Sequence, residues 1–142
     1  MELDRALGVA RDQNKGVLVT LRRDGRPQLS NILFVVGSDD VIRISVTADR
    51  AKTKNLGRDP RCSLYVGRED FWAYLVIDAD AELSPVAQDP QDATVDELAD
   101  QYRAMQGEHP NWDEFRRAMV DDRRQVARLH PSHAYGMWPD ES

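Results

Sequence analysis

Apolar positions recur along the whole chain with two different periods, and the points where the period changes mark out the elements. Leu3, Ala6, Leu7 and Ala10 recur at spacings of three and four, one stripe of a short helix that ends near Asn14-Lys15-Gly16. Gly16 to Leu21 is an extended run, Arg23-Asp24-Gly25-Arg26-Pro27 is a turn, and Gln28 to Val36 is extended again, which predicts a hairpin. Gly37-Ser38-Asp39-Asp40 reverses the chain into Val41 to Thr47, where Ile42, Ile44 and Val46 alternate with Arg43, Ser45 and Thr47. Residues 50–58 read as a short helix stopped by Gly57, with Pro60 beyond.

Arg61 to Val66 predicts a short strand, Gly67-Arg68-Glu69-Asp70 a turn, and residues 71–83 a long strand. In that last run Phe71, Ala73, Leu75, Ile77, Ala79, Ala81 and Leu83 take one face, and Trp72, Tyr74, Val76, Asp78, Asp80 and Glu82 the other. Thr94 with Glu97 fits a capping box for a helix carrying Val95, Leu98, Tyr102 and Met105 inward and stopping at Gly107. Asn111 with Glu114 caps another, with Trp112, Phe115 and Met119 on its stripe, and Arg124 to Tyr135 returns to extended chain around Pro131. No repeat or interdomain linker interrupts this order. The pattern predicts one domain over residues 1–142, mainly β, with about six mostly antiparallel strands in a small barrel and two or three peripheral helices.

Composition narrows the class. With 41% apolar and 31% charged residues, the chain has enough apolar surface to fold. No apolar run approaches the roughly 18 residues of a membrane span, and the first residues lead into no signal-peptide core, so a cytoplasmic protein is expected. The single cysteine, Cys62, fits a reducing compartment and reads as a small buried side chain. A net charge of −6 argues against nucleic-acid and anionic-membrane partners.

The catalytic patterns that depend on local spacing are missing. There is no Gly-x-Ser-x-Gly elbow, no glycine-rich dinucleotide or P-loop fingerprint, and His109, His130 and His133 form no zinc-binding spacing, so no metal site and no catalytic side chain is assigned. One segment opposes the global charge. Residues 50–58 hold Arg50, Lys52, Lys54 and Arg58 with no acid, and include two of the three lysines in the chain. With Ser45, Thr47 and Thr53 beside a helix start they would suit a phosphate, or they simply solvate an outer helix face. Trp72 and Tyr74 either cover a partner subunit or stack on a flat ligand, and Gln28, Ser30 and Asn31 offer amides and hydroxyls to a heterocycle or to water.

Three segments together carry a resemblance: Asp24-Gly25-Arg26-Pro27-Gln28-Leu29-Ser30-Asn31; Arg50-Ala51-Lys52-Thr53-Lys54-Asn55-Leu56 with Asp59-Pro60-Arg61; and Ser132-His133-Ala134-Tyr135-Gly136. They resemble the split β-barrel flavin and deazaflavin oxidoreductases of the pyridoxamine 5′-phosphate oxidase-like superfamily, most closely the actinobacterial F-420-dependent branch, from about residue 4 to 136. The resemblance implies a six-stranded antiparallel split barrel of the FMN-binding type, a homodimer, and two coenzyme sites at its interface. It further implies that the phosphate rests on Arg50, Lys52 and Thr53, that Gln28, Ser30 and Asn31 line the ring, that Ser45 lies beside the coenzyme, and that Trp72 comes from the facing subunit. The implied activity is hydride transfer from F-420 to an electron-poor small molecule such as a quinone, bilin or nitroaromatic. The alternatives are an FMN-binding pyridoxamine phosphate oxidase-like flavoprotein and a non-catalytic coenzyme-binding protein. True oxidases of this type grip their substrate with an arginine-centred C-terminal motif, where this chain reads Met137-Trp138-Pro139-Asp140-Glu141-Ser142, so reductase chemistry is the expectation.

Overall fold

In the computed structural model, which describes residues 1–140, the elements run α1 (Leu3–Arg11), β1 (Lys15–Leu21), β2 (Pro27–Leu33), β3 (Val35–Val36), β4 (Ile42–Thr47) and α2 (Ala51–Arg58). They continue β5 (Arg61–Gly67), β6 (Tyr74–Leu83), α3 (Ala93–Gln106), α4 (Trp112–Asp121) and β7 (Arg124–Met137). Of the expected domain 1–142 and its C-terminal stretch, Glu141 and Ser142 lie outside the described residues. All seven strands form one antiparallel sheet, in the order β2-β1-β5-β6-β7-β4-β3. No helix among the described residues is long and apolar enough to cross a membrane.

The sheet order explains the curl. β2 and β3 are the two opposite edges, yet only Phe34 separates them in the chain. The ends of these edges must therefore lie within two residue steps, about 7 Å of extended chain, and the sheet bends into a half-barrel to let them. Phe34 is fully buried at that corner, and its N–H donates to Asn14 O at 3.0 Å. This is why the expected single strand Gln28–Val36 is two strands: its first half pairs with β1 and its last two residues with β4.

Inside the curl, Leu18, Ile42, Ile44, Val46, Leu64, Leu75, Ile77 and Leu129 pack with Ala6, Leu7 and Ala10 of α1 in the main core. A second, smaller cluster of Leu98, Ala99, Phe115 and Val126 seats α3 and α4 on the other face of β7. Of the alternation expected over 71–83, Ala73 to Ala79 keep their buried face, but β6 begins at Tyr74. Phe71 and Trp72 belong to the preceding turn, with Phe71 at φ 77° and 79% exposed.

Four helices replace the expected two or three, and two boundaries have different chemistry. Gly57 lies inside α2, which runs on to Arg58 and ends ahead of Pro60. α3 is capped by Asp92, whose carboxylate accepts from Val95 N at 2.9 Å, rather than by a Thr94–Glu97 box. Thr94 instead donates to Pro85 O, and Glu97 is drawn to the sheet by Arg43 and Arg128. The Asn111 cap of α4 is as expected, accepting from Glu114 N at 3.1 Å. In the Ser132–Gly136 segment, Gly136 sits at φ 140°, where a Cβ would come within 2.5 Å of Tyr74 O, so the close approach of β7 to β6 requires glycine there.

Candidate functional site: the β4–α2 junction

β4 delivers Ser45 and Thr47, and α2 begins four residues after Thr47. No side chain caps the α2 N-terminus, and its first turn holds no acid. Arg50 is the N-cap residue and Lys52 the second residue of the helix, so both cations stand at the positive end of the helix dipole, where charge alone would place acids. The Lys52 ammonium is half-buried, and burial pushes its pKa down, with Arg50 and Arg124 adding repulsion. Its side chain has no hydrogen-bond or ion-pair partner among the described residues. A cation kept in this condition is one that an anion would relieve.

Arg124 was not among the expected site residues, and it completes the cluster. It opens β7, paired directly across from Thr47, and its Nη1 donates to Ser45 Oγ at 3.3 Å. Thr53 is buried and its hydroxyl already donates to Thr47 O at 2.7 Å, so bonding a phosphoryl oxygen requires that proton to be redirected. Around Thr47, Arg50 and Arg124 lies a polar cavity of about 460 Å³ whose rim also includes Asp49, Asp121 and Asp122. Asp49 is held below the usual carboxylate range by the neighbouring Thr47 hydroxyl, with Arg50 and Lys54 contributing, while the buried Thr47 Oγ1 makes no hydrogen bond of ordinary geometry.

The structure thus brings Ser45, Arg50, Lys52 and Thr53 together and leaves the other expected residues elsewhere. On β2, Gln28 and Ser30 lie across from Thr20 and Leu18 on the core side of the sheet, whereas Asn31 is exposed on the outer side. Trp72, 73% exposed, stacks edge-on against Phe71 at 5.9 Å in the β5–β6 turn. That turn lies by the Met137 end of β7, and Arg124 at the other end of this fourteen-residue strand. Within one subunit Trp72 is remote from the β4–α2 junction.

The outer face of the sheet carries a row of side chains that no local sequence pattern marks. The pairings align Asn31, Val17, Tyr65, Val76 and Tyr135 in a row across five strands, flanked by Leu29 with Val19 and by Leu33 with Lys15. Leu29, Leu33, Tyr65, Tyr135 and Met137 are exposed there, and Tyr65 stacks on Tyr74 at 6.0 Å.

Solved structures share this architecture. A conserved Mycobacterium tuberculosis protein, Rv2991, superposes with a TM-score of 0.72 at 20% identity over 100% of this chain and 91% of its own. The heme storage protein HutZ of Vibrio cholerae matches with a TM-score of 0.70 at 17% identity over 96% of each chain. An F-420 reductase matches with a TM-score of 0.60 at 26% identity, over 86% of this chain and 89% of its own. The family model for pyridoxamine 5′-phosphate oxidase matches residues 4–138, a span that takes in the β2 strand, the cationic start of α2 and all of β7. With sheet, order of elements and sequence in agreement over that span, the chain belongs to the pyridoxamine 5′-phosphate oxidase family.

Proposed function

We propose that this protein is a cytoplasmic, homodimeric reductase that uses the deazaflavin coenzyme F-420 to transfer hydride to an electron-poor small organic molecule. The observation that carries the reading is the unpartnered, half-buried Lys52 between Arg50 and Arg124 at an uncapped helix start, in a chain 26% identical to an F-420 reductase. When bound, reduced F-420 supplies a hydride from C5 of its ring; the protein supplies position and electrostatics. Arg50 offers a planar fork, Lys52 a point charge and α2 its free N–H groups to the phosphoryl group. Lys54 and Arg58 extend the positive field along α2 toward the further carboxylates of an F-420 tail.

The outer apolar face supports the dimer. Exposed aromatic and aliphatic side chains of β2, β5 and β7, on a row that crosses five strands, are the composition of an interface core, with charged residues such as Lys15, Arg68, Arg61, Asp78 and Asp80 at its margins. In such a dimer Trp72 of the partner reaches a site that it cannot join within its own subunit.

Parallel titrations of the purified protein with F-420 and FMN test the coenzyme, read by fluorescence change and co-elution. The reading expects saturable F-420 binding and consumption of reduced F-420 when a quinone or nitroaromatic acceptor is added. Binding of FMN with none of F-420 overturns the coenzyme assignment. F-420 binding without turnover on any acceptor class leaves a coenzyme-binding protein in place of an enzyme.

A further inference from the structure

Where α3 and α4 lean over β4 and β7, the second cluster does not close, and a cavity of about 420 Å³ remains. Its walls are apolar, with Leu98, Tyr102 and Met105 from α3 and Phe115 and Met119 from α4. Its floor is not. Gln101 is 4% exposed; its amide N–H donates to Arg43 O at 3.3 Å, while its carbonyl oxygen Oε1 receives no donor. Beside it, Arg124 donates to Ser45 Oγ through Nη1, yet its buried Nε–H has no hydrogen-bond acceptor, and the Asp122 carboxylate stays 3.8 Å away. A native interior rarely leaves a buried acceptor and a buried charged donor unmet at the floor of one cavity.

The two unmet groups have complementary needs. Gln101 Oε1 asks for a donor and Arg124 for an anionic acceptor. Gln101 is tied to Arg43 and Arg124 to Ser45, residues two apart on β4, so both groups are anchored to the same short stretch of that strand. The walls favour an apolar body, and the Tyr102 and Phe115 rings among them offer it aromatic contact. At the rim, His109 leans on both rings and accepts from Asn111 N through Nδ1, and the exposed Glu114 lies in solvent; the cation at the floor is Arg124, whose one ion-pair partner among the described residues, Asp122, stands 3.8 Å from its Nε.

We infer that this cavity binds a small aromatic acid bearing a hydroxyl at the end remote from its carboxylate, the hydroxyl donating to Gln101 Oε1 and the carboxylate accepting from Arg124. The site shares Arg124 with the cationic cluster at the β4–α2 junction, while Gln101 and the apolar walls lie outside that cluster.

The test is a fluorescence titration of the full chain with 6-hydroxy-2-naphthoate, with 2-naphthoate as the probe lacking the hydroxyl. The wild type is expected to bind the hydroxy acid at one saturable site, about tenfold more tightly than 2-naphthoate, the worth of one buried hydrogen bond of about 1.4 kcal/mol. Gln101→Leu is expected to bring the two probes within about twofold of each other, since only the hydroxyl's partner is lost. Ala118→Trp, on the cavity wall, is expected to weaken both more than tenfold while leaving the F-420 titration at its wild-type value; Met119→Trp repeats the block should the first variant melt early. Absence of saturable binding, a preference for the hydroxy acid that survives Gln101→Leu, or full affinity in both filled variants overturns the inference.

Discussion

Glu97 fastens α3 to the sheet, and replacing it with glutamine tests that attachment. Its partners, Arg43 on β4 and Arg128 on β7, are directly paired across the two strands, so their guanidinium groups lie side by side. Glu97 Oε2 accepts from both Nε atoms at 2.9 Å, and Oε1 accepts from Arg128 Nη2 at 2.6 Å. All three side chains are at most one-quarter exposed. An amide can present one oxygen; its NH₂ then faces at least one guanidinium N–H, and turning the amide over only moves the clash. Each charge-assisted bond is worth about 1.5–3 kcal/mol when buried, and partial exposure reduces the sum lost in Glu97→Gln to about 2–3 kcal/mol. For a domain of this size that lowers Tm by roughly 10 °C, measured by calorimetry at pH 7. The pH dependence follows from the carboxyl, which Arg128 and then Arg43 hold below its usual range. A depressed carboxyl contributes its full stability above the unfolded value, about 4.3, and loses it as pH falls through the folded value. The gap between wild type and variant therefore narrows on acidification. A variant that melts within 1 °C of wild type at pH 7, or a gap of constant size from pH 7 to pH 3, refutes the reasoning.

Lys52→Ala is expected to weaken F-420 binding by about 1.5–3 kcal/mol, more than tenfold, in a fluorescence titration, with no loss of Tm. The sign of the latter follows from the lowered Lys52 pKa: the charged ammonium burdens the fold below its folded value, and the burden is gone above the unfolded one, so removal at pH 7 is neutral or stabilising. Tyr65→Asp, in the middle of the outer apolar row, is expected to give a monomer by sedimentation or light scattering; an unchanged dimer rejects that face as the interface. Asp92→Ala removes the α3 cap together with acceptors for Gln88 N and Asp89 N, and is expected to cost about 1–2 kcal/mol in chemical denaturation.

Elements governed by near neighbours in the chain were legible, and those governed by distant ones were not. The α1 stripe, the alternation of Ile42, Ile44 and Val46 and the Asn111 cap follow from residues within one or two turns of each other, and all are found. The break at Phe34 has no local signal, because it exists only once β2 and β3 become opposite edges of one sheet. The Thr94–Glu97 box failed for a related reason. Glu97 had better partners in Arg43 and Arg128, residues that a chain reading cannot know to be neighbours, and Asp92 was free to take the cap. The long strand over 71–83 loses its first residues because Phe71 adopts a positive φ inside the turn, which overrides an alternation that side-chain type alone supports.

The candidate site divides along the same line. Arg50, Lys52 and Thr53 lie in one helical turn, so their charge excess was visible in the sequence, whereas Arg124 joins them only through the β4–β7 register, 79 positions from Ser45. The ring-lining trio poses a sharper problem that strand geometry alone could have raised. Consecutive residues on a strand point to opposite faces, and β2 accordingly turns Ser30 toward the core side and Asn31 outward. One flat ligand touching both must lie along the edge of the strand rather than on either face. β2 is an edge strand of the sheet, with β1 its one paired neighbour, so the side that such a ligand needs is available. Asn31 also belongs to the apolar row that the dimer would cover, and a ligand at this edge would be enclosed from the second subunit. On this geometry the coenzyme ring and the dimer are one requirement: a variant such as Tyr65→Asp that leaves every residue of the β4–α2 junction intact should still lose F-420 affinity as it becomes monomeric, and a monomer with full affinity would place the ring elsewhere.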